Sequence, residues 1–431
     1  MNAADTYSTI IEKMDKLPVI EKNLNRVGML QEVLRWLGSP EKKLRVIHIV
    51  GTNGKGSTGA MLANILVENG YHVGHFSTPA IVDQREVISI DNQIMSEDDF
   101  RQVYLDILTE IEAHGGYEDT LNRFEWLTLM AIVYFERYEL DFVILEASFG
   151  GKKDPTNAIE SPFMVIITKI SSDHLGRLGQ TLTEIAQEKA ASIKPAAIVV
   201  NYPGQDLEVE AVLKARCEAV GAIWSNKPHP VITVLQSRPK GLFLNINDIR
   251  ELYLSLTGNY QANNLSTVIS AMRMLEDRGF ATTPDKSALG LAHVQVKGRM
   301  EYDQERNILF DGAHNPEGFR GLISSIRSWH LPFKPVFVLG LMEDSRNQEI
   351  LEEILPQAGN VITVTPDSPL GMSADKLAAE IVLNSTVDVE IADDASAAIQ
   401  LARRSRESSQ ALIVVTGSFY TLRAILKEDE V

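Results

Sequence analysis

VIHIVGTNGKGSTGAMLANILVENGYHVG, residues 46–74, decides how the rest of the chain is read. An apolar run gives way to glycines, a lysine and hydroxyls, and apolar residues then return at helical spacing until Gly70. RVIHIV (45–50) has the character of a strand, 58–69 that of a helix, and HVGHF (72–76) that of a second strand. A glycine-rich turn from strand to helix is where backbone N–H groups and a helix N-terminus face an anion, and Lys55 adds a point charge. The spacing departs from a strict Walker loop. Ile49 holds the position of its first glycine and Gly56 that of its hydroxyl, with hydroxyls arriving only at Ser57 and Thr58. The competing reading is a plain flexible turn, and the surroundings must choose.

Outward from this stretch the alternation continues. WLTLMAIVYFERY reads as a helix, DFVILEAS as a buried strand, FMVIITKI as another strand and LTEIAQEKAASI as another helix. Apolar strands alternating with amphipathic helices predict βαβ units and a mostly parallel sheet covered on both faces. Residues 5–38 carry helical spacing up to Gly38-Ser39-Pro40, and 231–256 predict short antiparallel strands before a helix at 261–277. Near residue 297 the pattern restarts. NILFDGAH, PVFVLGLM, NVITVTP, VDVEIAD and ALIVVTGS are strand candidates, each followed by a helical stretch. The expected fold class is α/β in two domains, 1–296 and 297–431, since 431 residues exceed what one core usually serves.

Composition narrows the function. A net charge of −17 argues against a non-specific grip on nucleic acid. Cys217 is the single cysteine, which excludes an intramolecular disulfide and a cysteine-built metal site. The N-terminus carries acids without an apolar core, and no apolar run approaches the roughly 20 residues of a membrane span. The expectation is a cytoplasmic monomer with no nucleic-acid or membrane partner. Two polar residues stand at strand ends. Glu146 closes DFVILE, at the carboxyl edge where open α/β sheets bind ligands, and His174 lies just beyond FMVIITKI. Each also has a plainer reading, as a strand-end carboxylate and a packed loop histidine.

GTNGKGS (51–57), FEWLT (124–128), EASFGGKKDPTN (146–157) and ITKISSDHLGRLGQTLTEIAQEKAASIKP (167–195) follow one another in a particular order. GNYQANN (258–264), KGRME (297–301), LFDGAHNPEG (309–318) and VTGSFY (415–420) complete it. In this order the chain resembles the folylpolyglutamate synthase family, often bifunctional with dihydrofolate synthase, within the Mur ligase superfamily. The resemblance implies a Mur-ligase-type phosphate-loop ATPase domain followed by a Rossmann-like domain, with the active site between them. It implies that ATP converts a folate carboxylate to an acyl phosphate, which the amine of L-glutamate then captures as an amide.

Carried over by residue, the resemblance implies that Asn53, Gly54, Lys55, Gly56, Ser57 and Thr58 cradle the triphosphate. Ser57, Thr78 and Glu146 would hold Mg2+, with His174 as a further ligand. Lys189, in AQEKAAS, matches a lysine that the family carries as a carbamate, an oxygen donor suited to magnesium. Lys55, Lys189, His174 and Glu146 form the implied catalytic set. Asn264, Arg299, Asp311 and His314 would contact the nucleotide, and Asp154 the acceptor substrate. Plainer readings stand beside these: a solvated helix lysine for Lys189, a linker ion pair for Arg299, a capping acid for Asp311.

Departures cluster on the folate and glutamate side. Ala80 and Val87 replace the family's histidine and arginine, Ser345 a lysine, and Asp367 an arginine. The stretch Asn23-Leu24-Asn25-Arg26 also departs from the pattern of dihydropteroate-binding members. Two rival readings remain: an amide ligase for another carboxylate, and a nucleotide-binding protein that has lost catalysis.

Overall fold

A computed structural model describes residues 6–18, 25–117, 119–148, 150–171, 178–344 and 346–429. The chain divides into two compact units, one of 1–230 with 263–291, the other of 231–262 with 292–431. The boundary expected at 296/297 falls just beyond the chain's last passage into the second unit.

In the first unit the helical spacing near the start resolves into α1 (Tyr7–Asp15) and α2 (Arg26–Trp36). The opening stretch then follows as β1 (Val46–Val50), α3 (Lys55–Glu68) and β2 (Val73–Phe76). α3 begins at Lys55, earlier than its apolar spacing announces. Gly54 adopts φ 88°, a left-handed turn that glycine enters without strain, and it sends the loop straight into the helix. Next come β3 (Ile88–Ile90), β4 (Gln93–Ile94), α4 (Glu97–Ala113), α5 (Arg123–Glu136), β5 (Phe142–Glu146) and β6 (Met164–Ile167). α6 (Leu182–Ala190), β7 (Ile198–Val200), α7 (Leu207–Val220) and β8 (Ile223–Trp224) complete the sheet.

The strand order is β4-β3-β2-β5-β1-β6-β7-β8, parallel from β2 through β8 and antiparallel only at β3 and β4. β1, β5 and β6 are buried at every residue, as central strands covered on both faces must be. α5 starts with a capping box between Asn122 and Glu125. The same Glu125 takes a buried ion pair from Arg26 of α2, whose Nε donates to Oε1 at 2.7 Å.

The second unit opens on an antiparallel sheet of β9 (Ile232–Arg238), β10 (Gly241–Ile246) and β11 (Ile249–Leu254). The chain then returns to the first unit for most of α8 (Gln261–Glu276) and α9 (Pro284–His293), and the second unit resumes with β12 (Glu301–Asp303), β13 (Ile308–Asp311), α10 (Pro316–Ser328) and β14 (Val336–Leu339). The chain ends with α11 (Asn347–Ile354), β15 (Asn360–Thr363), α12 (Ala374–Asn384), β16 (Asp388–Ile391), α13 (Ala395–Ser405), β17 (Ile413–Thr416) and α14 (Phe419–Asp429). The sheet order is β12-β13-β17-β14-β15-β16, parallel apart from β12 at the edge. Phe319, Phe337, Leu339 and Val414 lie in its core. Among the described residues no helix is long and apolar enough to cross a membrane.

Candidate active site

In the first unit the parallel neighbours β2, β5, β1 and β6 bring four loops to one carboxyl edge. That edge is where an open α/β sheet binds ligands. The glycine loop leaves β1 there and is fixed by its neighbour. Thr52 N and Asn53 N donate to Lys169 O at 2.8 and 3.2 Å, and Ser171 N donates to Thr52 Oγ1 at 3.1 Å. The approach is close enough that a Cβ on Gly51 would lie 1.9 Å from Thr168 Oγ1. A Cβ on Gly54 would lie 2.5 Å from Asn264 Oδ1, so Asn264 is placed against the loop itself. A plain flexible turn is therefore the wrong description. The loop is held by its partners, and it delivers the N-terminus of α3.

Two lysines meet on this loop. Lys55 Nζ donates to the carbonyls of Gly51 and Thr52 at 3.0 and 2.9 Å. Lys189, from α6, donates to the same Gly51 carbonyl at 2.9 Å. Only 2% of Lys189 is exposed, which removes the reading of a solvated helix lysine. Such burial of a lysine is rare without a specific role for its head group.

Glu146 ends β5 with 1% of its surface exposed, and its Oε1 lies 2.8 Å from His75 Nε2 on β2. Gly59 makes room for both: a Cβ there would come within 2.5 Å of Glu146 Oε1 and 2.7 Å of His75 Nε2. Ser57 and Thr58 lie in the first turn of α3, and Thr58 Oγ1 is buried with no partner among the described residues. Thr78 follows β2 and precedes a cis proline. A carboxylate and hydroxyls at a strand edge make a hard oxygen set, which suits Mg2+. His174 lies outside the described residues. No group of three or more His, Cys, Asp or Glu gathers among those described.

Asp154 is buried and committed to its own loop. Oδ2 accepts from Gly150 N at 2.8 Å, and Oδ1 accepts from Thr156 N at 3.0 Å and Thr156 Oγ1 at 2.6 Å. The loop so formed passes beside α6, where Lys152 N donates to Glu188 O at 3.0 Å. Ala80 and Val87, where the resemblance would place a histidine and an arginine, are buried and apolar. Arg85 nearby is tied to Asp83, with Nη2 to Oδ2 at 2.6 Å.

The second unit gathers Arg299, Asp311, His314 and Phe419. Asp311 ends β13, accepting from Met300 N at 2.9 Å and Ala313 N at 3.0 Å. Burial raises its pKa, and the charge of Arg299 opposes that rise. The Arg299 guanidinium stacks on Phe419, 4.4 Å from the ring centroid. His314 Nδ1 lies 2.8 Å from Gly312 O, and its ring is 6.2 Å from Phe419. Ser345 lies outside the described residues, while Asp367 is exposed. Sequence reasoning overlooked His75 and Phe419. The alternation of HVGHF, set beside that of DFVILE, was the available signal for His75.

Two family descriptions match the chain, the Mur ligase middle domain over residues 49–272 and the Mur ligase glutamate ligase domain over 298–419. A dihydrofolate synthase/folylpolyglutamate synthase of Bacillus subtilis is 30% identical over 409 residues, covering 93% of this chain and 94% of its own length. A dihydrofolate synthetase of Saccharomyces cerevisiae is 28% identical, covering 95% of this chain and 98% of itself. Among solved structures, a Mycobacterium tuberculosis folylpolyglutamate synthase complexed with ADP superimposes with a TM-score of 0.87 at 26% identity, covering 98% of each chain.

Proposed function

We propose, because the chain belongs to the Mur ligase family and to its folylpolyglutamate and dihydrofolate synthase branch, that it joins L-glutamate to a folate carboxylate at the expense of ATP. It is an ATP-dependent ligase. The γ-phosphoryl group passes to the folate carboxylate, ADP leaves, and the acyl phosphate loses phosphate as the glutamate amine forms the amide.

The chain's residues act mainly by placing charge. The N-terminus of α3, with the loop residues 53–58 around it, receives the triphosphate, and Lys55 neutralises its outer oxygens. Ser57, Thr78 and Glu146, with His174, are the residues that would hold Mg2+. When bound, the ion supplies Lewis-acid charge on the phosphoryl oxygens. Lys189 is proposed to carry a carbamate: its ammonium loses one proton, the resulting amine nitrogen bonds to the carbon of CO2 and loses a second, and one positive charge is replaced by one negative charge shared between two oxygens. Asn264 in the first unit, and Arg299, Asp311 and His314 in the second, are the proposed nucleotide contacts. Asp154 acts on the acceptor through the loop it holds. The functional division is taken as 1–296 and 297–431, and the protein as a cytoplasmic monomer.

The observation that carries this reading is the meeting of Lys55 and buried Lys189 on one carbonyl of the glycine loop. The test is ADP release with tetrahydrofolate and glutamate together and with each alone. Turnover should require both, and Lys189→Ala should lower kcat at least about 100-fold, in the range of a lost charge-stabilising group. Near-normal turnover in that variant removes Lys189 from the mechanism.

Buried, apolar Ala80 and Val87 favour a second reading, in which the acceptor is a different carboxylate. Dihydropteroate, tetrahydrofolate and its glutamylated forms as separate acceptors distinguish the two. Turnover with dihydropteroate establishes the dihydrofolate synthase half, and turnover with none of them favours the second reading.

A further inference from the structure

We propose that His75 is a positioning residue for Glu146, donating from Nε2 to Oε1 so that the carboxylate is held at one orientation for the metal. This rests on the reading of Glu146 as a metal ligand. The motifs that carry the family resemblance do not include His75.

The placement follows from sheet geometry. β2 and β5 are parallel, with His75 opposite Ile144 in register. Side chains alternate along a strand, so Ile144 and Glu146 share a face, and His75 stands diagonally across from the carboxylate on that face. The diagonal is bridged at 2.8 Å, with His75 at 11% and Glu146 at 1% exposure. A carboxylate only accepts hydrogen bonds, so Nε2 carries the hydrogen and the tautomer is set by its partner.

Gly59 completes the arrangement from above. Its missing Cβ leaves the imidazole and the carboxylate directly under the helix that carries Ser57. The imidazole engages Oε1, so any turn of the carboxylate about its own axis breaks that bond. Groups that orient a ligand in this way commonly account for 10–100-fold of metal affinity. A merely packed histidine would stabilise the fold and leave the metal untouched.

The test uses the full chain and reads the gain in ADP affinity that saturating Mn2+ confers, by calorimetry with and without the metal. Gln at 75 carries an amide nitrogen to the reach of Nε2, whereas Asn stops at the reach of Nδ1. In His75→Asn the gain should fall about 10–100-fold and in His75→Gln by less than about threefold, with metal-free ADP affinity unchanged in both. Equal gains in the Asn and Gln variants overturn the inference, as does a parallel fall in metal-free ADP affinity. If His75→Asn does not fold, His75→Leu takes its place as the variant without a donor, with the same loss expected. Glu146→Gln separates the two levels. If it keeps the full Mn2+ gain, Glu146 is not a ligand and both readings fall. If it loses the gain while the Asn variant keeps it, only the role of His75 falls.

Discussion

His48 stands inside β1, fully enclosed, with Nε2 2.8 Å from Thr156 Oγ1. The Thr156 hydroxyl donates onward to Asp154 Oδ1 at 2.6 Å, so it can only accept from His48, which therefore carries its hydrogen on Nε2. Burial drives the His48 pKa down to about 4, although the charge of Asp154 pulls the other way. In the unfolded chain it returns to about 6.5. Between these values the unfolded state binds more protons than the folded one, so this residue lowers stability as pH falls from about 6.5 to about 4. Above that window it has no effect, and below it the loss is complete. The full loss is at most about 3 kcal/mol. His48→Gln keeps a donor near Nε2 but does not titrate. Urea unfolding at pH 7 and pH 4.5 should show a smaller acid loss in the variant by about 2 kcal/mol. The raised pKa of Asp311 acts in the opposite sense, and being common to both proteins it cancels in the comparison. Equal acid losses would detach His48 from the stability of the fold.

At the scale of elements, α3 ties the phosphate loop to the carboxylate beneath it, and Gly59 is where the two meet. An alanine in a helix interior ordinarily adds about 0.5–1 kcal/mol over glycine. Here its Cβ would press within 2.5 Å of Glu146 Oε1 and 2.7 Å of His75 Nε2, both of them ends of side chains. The side chains should yield before the helix does. Gly59→Ala is expected to melt within a few degrees of the unchanged chain while turnover drops at least about tenfold, as for a displaced ligand-orienting group. Loss of stability and turnover in proportion would mean that the helix moves instead. The same elements mark how far the sequence could be read. Central strands such as FVILE and MVII are long apolar runs because both faces are covered, and they stand out at once. The β3–β4 hairpin did not. Its strands are three and two residues long, too short for an alternation, and its turn rests on Asp91 and Asn92 at φ 50° and 63°. Lys189 was legible only through resemblance, because the spacing of α6 does not reveal that Gly51 waits beside its polar face. His75 needed the register between β2 and β5, and pairing across the sheet is not written in either strand alone.

For the whole molecule, the question is which lengths of chain form a core by themselves. Every pairing of the second parallel sheet lies between β12 and β17, and the buried residues of the apolar cluster around Phe319, Phe337 and Val414 come from the same span, with Tyr260 packed against them from outside it. A fragment of residues 297–431 keeps that sheet and its helices, and at about 130 residues it has the size of an ordinary domain. It lacks β9, where Ser237 Oγ accepts from Trp329 Nε1 at 3.0 Å. An indole that loses such a partner turns its polar edge to water. The fragment should therefore unfold cooperatively by circular dichroism. Trp329, its sole tryptophan, should emit at longer wavelength than in a full chain whose Trp36, Trp126 and Trp224 are replaced by phenylalanine. A fragment without a cooperative transition would show that residues 231–262 are part of the folding unit, and the second functional domain would then include that stretch. A cooperative transition with unshifted emission would mean that Trp329 is buried by the parallel sheet's own helices and that the three-stranded sheet is an accessory to it. In either case the fluorescence of one indole tells whether the second domain is a continuous segment or one assembled from two stretches of chain.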